Sequence, residues 1–147
     1  MGNIDGRSLW RNRSRSGVNG NVYFIRCQDF VKIGFTTNAP EKRCHALQAG
    51  NPGYLELWFY FPGTLADEQA LHQVFDPLLM HREWFAMRGK LRDLVWYCGH
   101  DDHERFRSRE FFEAAMVDCV ECGTCPDDED TDEHNATARF NRWINRC

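Results

Sequence analysis

The chain has 147 residues, 42% of them hydrophobic and 14% aromatic, enough for one domain of ordinary size with a substantial core. No apolar run approaches the ~18 residues of a membrane span, and the N-terminus lacks the apolar stretch of a secretory signal, so a membrane partner is not expected. Seven cysteines, an odd number without an export signal, point to a reducing, cytoplasmic setting with thiols or metal ligands rather than disulfides. The net charge of −4 would by itself argue against a polyanion partner, but its distribution does not. Residues 1–20 carry four arginines against one aspartate, residues 21–95 balance eight against eight, and residues 96–147 hold six basic against thirteen acidic side chains.

Residues 1–20 are polar, with Arg7, Arg11, Arg13 and Arg15 around a lone Trp10 and no periodicity; they predict a flexible, arginine-rich arm. Arginines interleaved with an aromatic suit phosphate contact and base stacking, against the plain alternative of a solvated tail. Asn21–Ile25 and Phe30–Gly34 then flank a turn at Cys27-Gln28-Asp29 and predict a β-hairpin. With Gln28 and Asp29 central, Tyr23 pairs with Gly34 and Ile25 with Lys32, and these four share one face while Val22, Phe24, Val31 and Ile33 share the other. Tyr23 and Lys32 become diagonal neighbours, with Gly34 leaving empty space beside them. A loop one residue longer or shorter would put them on opposite faces.

A helix over 39–48 follows, with Asn38 or Thr37 as cap, Pro40 in its first turn and Gly50-Asn51-Pro52-Gly53 as its stop. Helical spacing places Arg43, Ala46 and Leu47 on one side, so Arg43 leans toward whatever Leu47 packs on. Residues 54–61 predict a third strand, and Thr64 with Asp67 at the third helical position predicts the start of a second helix. On that helix Glu68, Leu71, His72 and Phe75 form one stripe. A carboxylate on an apolar stripe faces inward, where it needs a cation or strong donors. His72 is either a second ligand or donor, or a satisfied core histidine. Glu83-Trp84-Phe85 is a short extended piece in which Trp84 and Phe85 read as core and Glu83 as a brace for Arg43 or another cation. Helices over 88–97 and 104–117 follow, then an acidic run at 127–133 and a short helical pattern at 135–146.

Two constellations carry chemistry. Phosphodiester cleavage needs an activated water, an aligned phosphate and neutralisation of developing charge. Tyr23, Lys32, Arg43 and Glu68 supply a phenol, an ammonium, a forked guanidinium and a metal-ligating carboxylate on elements that can converge. The structural alternative is that Arg43 and Glu68 merely pair with each other. The second constellation is Cys98, His100 and His103 followed by Cys119, Cys122 and Cys125, a candidate structural Zn²⁺ set of Cys98, Cys119, Cys122 and Cys125, against unpaired cytosolic thiols.

The pieces Val22-Tyr23, Lys32-Ile33-Gly34, Pro40-Glu41-Lys42-Arg43, Leu47-Gln48-Ala49-Gly50-Asn51-Pro52, Glu68-x-x-Leu71-His72-x-x-Phe75 and Glu83-Trp84-Phe85 stand in order over roughly residues 20 to 95. In order and spacing the chain resembles the GIY-YIG nuclease superfamily, in the phage and bacterial branch whose second motif reads Val-Lys-Ile-Gly. The resemblance implies Tyr23 beside the attacking water, Arg43 on the phosphate, Glu68 as sole protein ligand of one Mg²⁺ or Mn²⁺, and a 5′-phosphate and 3′-hydroxyl product. Lys32 stands where many relatives have a second tyrosine, lysine being usual in this branch. Asn21-Val22 replace the Gly-Ile of the first motif, and the late asparagine of many relatives has no clear counterpart.

The expected fold is α+β, a small, mostly antiparallel three-stranded sheet flanked by helices. The expected organisation is an arm over 1–20, a GIY-YIG-like nuclease domain over 21–97, a helical Cys/His-containing extension over 98–126, and an acidic linker with a short helix over 127–147. The expected function is metal-dependent endonuclease action on DNA, RNA being left open, with Tyr23, Lys32, Arg43 and Glu68 catalytic. Arg7, Arg11, Arg13, Arg15 and Lys42 are expected on nucleic acid, and His72 and Glu83 in support. The alternatives are a non-cutting DNA-binding or adaptor module of the same fold, and an interaction protein acting through its acidic tail.

Overall fold

The computed structural model describes Trp10 and residues 19–99 and 104–121. The hairpin is formed by β1 (Gly20–Cys27) and β2 (Phe30–Thr36), in the expected register: Tyr23 opposite Gly34 and Ile25 opposite Lys32. Gln28 takes φ 56°, the left-handed conformation that a two-residue hairpin loop requires at a central position. The third strand, β3 (Glu56–Gly63), lies antiparallel on the other side of β1, with Tyr60 opposite Tyr23.

Among the described residues the sheet has five strands rather than three, in the order β3-β1-β2-β5-β4. The additional pair is β4 (Leu79–His81) and β5 (Trp84–Ala86), each of three residues. Strands this short contain too few residues for a period of two to show, so the sequence reveals only an extended piece. β5 pairs with Phe30, Val31 and Lys32, and the Glu83 carbonyl just before it accepts from the Ile33 amide. Beyond Ile33 the described residues add no further strand to this edge of β2.

Helix α1 (Pro40–Ala49) begins after Ala39, which makes no side-chain cap; Thr36 Oγ1 instead accepts from the Asn38 amide at 3.0 Å, so neither Thr37 nor Asn38 caps the helix. Helix α2 (Leu65–Val74) has the expected capping box, with Thr64 accepting from the Asp67 amide and the Asp67 carboxylate accepting from the Thr64 amide. That carboxylate is fully buried and also takes Arg109 Nη1 at 2.7 Å, tying α2 to α4 (Arg109–Met116). Helix α3 (Gly89–Gly99) packs with α4 and the π-helical segment Val117–Glu121.

The alternation along β1 divides two apolar clusters. Val22, Phe24, Val31 and Ile33 face a large core with Phe59, Phe61, Leu71, Leu91, Leu94 and Phe112. Tyr23 and Ile25 face a small one with Leu55 and Leu57, which Cys44 and Leu47 of α1 cover. Cys98, Ala115, Met116 and Cys119, from the stretch read as an extension, belong to the same large core. So does Trp10, which is 2% exposed, packs edge-on to Phe112 at 5.6 Å and donates from Nε1 to Glu113 Oε2 at 3.0 Å. The one aromatic of the predicted arm is therefore core and unavailable for base stacking. A single Trp in a polar, aperiodic stretch carries no local sign of its distant partner. The acidic run and the C-terminal helical pattern lie outside the described residues.

Candidate active site

Tyr23 is held by the sheet. Its ring lies over Gly34, directly across the hairpin: a Cβ on Gly34 would come within 2.3 Å of the phenol. The space expected to be empty beside Gly34 is filled by Tyr23 itself, so the glycine serves to seat the ring. Arg43, exposed on α1, donates from Nε to the Tyr23 hydroxyl at 3.5 Å. Its Nη groups have no side-chain partner among the described residues. Burial pushes the Tyr23 phenol above its ordinary range; the Arg43 hydrogen bond and charge pull against this, and Glu83 and Glu68 add to the rise.

Glu68 comes from α2, which packs its Leu71 into the large core on the opposite face. Its carboxylate is linked to the β2 backbone through His72. His72, one turn on, sets Nε2 at 2.7 Å from the Ile33 carbonyl and 3.1 Å from Glu68 Oε1. Two acceptors face that nitrogen, so Nε2 carries the proton and donates to both. Phe85 packs edge-on against the same imidazole at 5.2 Å. His72 thus fits both readings: its ring is satisfied by the Ile33 carbonyl against core Phe85, and the same nitrogen contacts Glu68. Burial pushes the Glu68 carboxyl above the usual range; His72 counters it, Glu83 adds to it and Lys32 counters it. Among the described residues Arg43 and Glu68 do not pair, which removes the simplest structural account of both.

Lys32 lies on the Tyr23 face with its ammonium 5.8 Å from the Trp84 ring centroid and 2.6 Å from Glu83 Oε2. The cation braced by Glu83 is therefore Lys32 rather than Arg43. Glu83 is in turn anchored by its own carbonyl, which accepts from the Ile33 amide at 3.3 Å. The N–H and C=O of Ile33, both on the edge away from β1, thus engage Glu83 and His72 respectively. Backbone groups leave no trace in residue identity, and this hub was not legible in the sequence. Neither was Tyr60, the cross-strand neighbour of Tyr23, whose phenol is pushed up by burial and by Glu41. Period-two counting from Tyr23 across an assumed β3 register would have found it.

Lys42 is exposed on α1 beside Arg43, while Arg7, Arg11, Arg13 and Arg15 lie outside the described residues. Of the four proposed zinc cysteines, Cys98 and Cys119 are fully buried in the large apolar core, and Cys122 and Cys125 lie outside the described residues. Burial pushes the Cys98 thiol far up, with Arg107 opposing. Among the described residues no three His, Cys, Asp or Glu side chains gather as a metal-holding group. No helix among them is long and apolar enough to cross a membrane.

Glu68 fits a hard divalent cation on its own terms. It is a desolvated carboxylate whose one described polar contact is His72 on Oε1, so Oε2 is uncommitted. No curated protein and no solved structure matches the chain. The family model described as the T5orf172 domain matches residues 20–127, taking in β1 through the π-helical segment and so both the site and the core beneath it. With that span covering most of its length, the chain belongs to the T5orf172 domain family, a family of nuclease-related phage domains.

Proposed function

We propose that this protein is a metal-dependent endonuclease that hydrolyses DNA phosphodiester bonds at the cluster of Tyr23, Lys32, Arg43 and Glu68. The observation that carries the reading is that Tyr23, Lys32 and Arg43 share one side of the β1–β2 hairpin, while Glu68, linked through His72 to the β2 backbone, is close enough to act electrostatically on Tyr23 and to feel Lys32. A core needs none of them there. Each is costly to bury or leaves polar capacity unused, and strained or desolvated polar groups of this kind gather where chemistry is done.

Arg43 presents its free fork to two non-bridging oxygens of the scissile phosphate, as a planar guanidinium does best. Tyr23 is a neutral phenol at physiological pH, as an ordinary tyrosine is, and burial makes its ionisation harder still. It therefore acts as a relay rather than as a ready-made base. One lone pair of its oxygen takes the Arg43 N–H; the other accepts the proton of the attacking water as the phenol passes its own to a phosphate oxygen. Lys32 supplies further positive charge beside the phosphate. Glu68, oriented by His72, would hold Mg²⁺ or Mn²⁺, which supplies Lewis acidity for the phosphate and leaving oxygen. Lys42 and Arg43 on α1, with the arginines of residues 7–15, supply sequence-independent attraction for the polyanion.

Incubation of supercoiled plasmid with Mg²⁺ or Mn²⁺ should give nicked or linear product, stopped by EDTA. Glu68→Ala should reduce it by about 10³-fold or more, with the melting transition retained. Wild-type protein that binds DNA but leaves it intact in both metals would instead be a non-cutting module of the same fold.

A further inference from the structure

We infer that Glu83 is a built-in competitor for the substrate: its carboxylate holds the Lys32 ammonium in the free protein, and a nucleic-acid phosphate must displace it. The inference rests on the nuclease reading and adds to it a condition for substrate entry. Lys32 donates to Glu83 Oε2 at 2.6 Å, a short charge-assisted contact. The two partners are unequally placed. The lysine side chain is 10% exposed and fixed on the sheet beside Trp84, whereas Glu83 is 45% exposed at the end of the β4–β5 turn. The carboxylate is therefore the half free to swing into water.

Its backbone is not free to do so. The Glu83 carbonyl accepts from the Ile33 amide at 3.3 Å, and Arg82 before it sits at φ 57°, so the turn is set and a side-chain rotation is the least costly opening. A carboxylate and a phosphodiester are both monoanionic oxygen acceptors, and the Lys32 side chain, 10% exposed, has little open surface on which to receive either. The two anions repel when they share one ammonium, so phosphate binding at Lys32 is opposed by Glu83 as long as that carboxylate stays in place. Glu83 also bears on the electrostatics of Tyr23 and Glu68, which places its charge at the rim of the site itself.

The consequence is selection by polymer. A small phosphodiester gains one contact at Lys32 and must displace Glu83 for it. A strand that also lies across Lys42 and Arg43 brings the free energy of several phosphate contacts to the same displacement. Glu83 therefore discriminates against short or isolated phosphates more than against long nucleic acid.

The test uses the full chain carrying Glu68→Ala, in EDTA, so that nothing is cut. Binding of a fluorescently labelled duplex is followed by anisotropy at low salt. Adding Glu83→Gln keeps a hydrogen-bond acceptor for Lys32 but removes its charge. The duplex should bind about three- to tenfold more tightly, and the gain should vanish when Lys32→Ala is also present. An equal gain with and without Lys32 would mean a general loss of negative charge and would overturn the inference, as would no gain. Absence of duplex binding by the parent would remove the nuclease reading and this inference together, whereas binding indifferent to Glu83 removes this inference alone. Melting curves of each variant verify that the folded chain is being compared.

Discussion

The two faces of the sheet are built from the same strands and are opposite in character. On one, Phe24 stacks on Phe59 at 4.3 Å and Phe61 on Phe112 at 3.9 Å, and α2, α3 and α4 close over them. On the other, Tyr23, Ile25, Leu55 and Leu57 form a small cluster, and the rest of the face carries Lys32 and Arg43 beside an exposed rim. Adjacent residues of β1 thus serve opposite ends: Val22 and Phe24 contribute cohesion, and Tyr23 contributes a polar tip at a place where cohesion alone would prefer leucine. Polar chemistry is tolerated on the second face because the first supplies the stability.

This contrast can be broken one residue at a time. The largest effect is expected from Tyr23→Phe, which should lower kcat by about 10²- to 10⁴-fold while leaving the melting temperature unchanged or higher. The hydroxyl makes one long contact, with Arg43 at 3.5 Å, and contributes little to folding. A fall in melting temperature with unaltered kcat would reverse the assignment of faces. Phe112→Ala on the other face should cost about 3–5 kcal/mol in urea unfolding, since the ring contacts Phe61, Phe24 and Trp10. Leu57→Ala, in the smaller cluster, should lie at the low end of the range for such truncations, near ~2 kcal/mol.

Gly34→Ala sharpens the comparison, because its Cβ would meet the Tyr23 ring at 2.3 Å while Gly50→Ala meets nothing within 4 Å. The first should lose about 10²-fold in activity through displacement of the phenol, and the second should leave plasmid cleavage unchanged.

The smallest effect concerns pH. Burial raises the folded-state pKa of Glu68, so its contribution to stability is fully present below the unfolded carboxylate pKa and is lost as pH rises through the folded value. Glu68→Gln, neutral at every pH, should therefore melt above wild type near neutrality and lose that advantage as the pH falls below the unfolded carboxylate pKa. Mn²⁺ should raise the wild-type melting temperature near neutrality and not that of the variant. A variant that melts lower at neutral pH would show the charged carboxylate to be stabilising.

The hairpin register, the capping box of α2 and the stripe of Glu68, Leu71 and His72 were legible because each is encoded by residues within a few positions of one another. Tyr23 beside Lys32 followed from a loop length and a period of two. The strands β4 and β5 were too short to declare a period, and Ala39 replaced the expected polar cap because Thr36 drew the Asn38 amide instead. The burial of Trp10 depends on Glu113 and Phe112, over a hundred residues away, and no local pattern could announce it.

By itself, then, the amino-acid order determined the candidate chemistry: a phenol and an ammonium on one face, a guanidinium on a helix toward that face, and a carboxylate on an inward stripe. Only the tertiary structure decided how those groups are occupied. Glu83 returns to Lys32 across 51 residues and His72 to the Ile33 carbonyl across 39. Periodicity records which way a side chain points, but a charged group takes as partner whatever the folded chain brings within about 3 Å, and only long-range closure settles that.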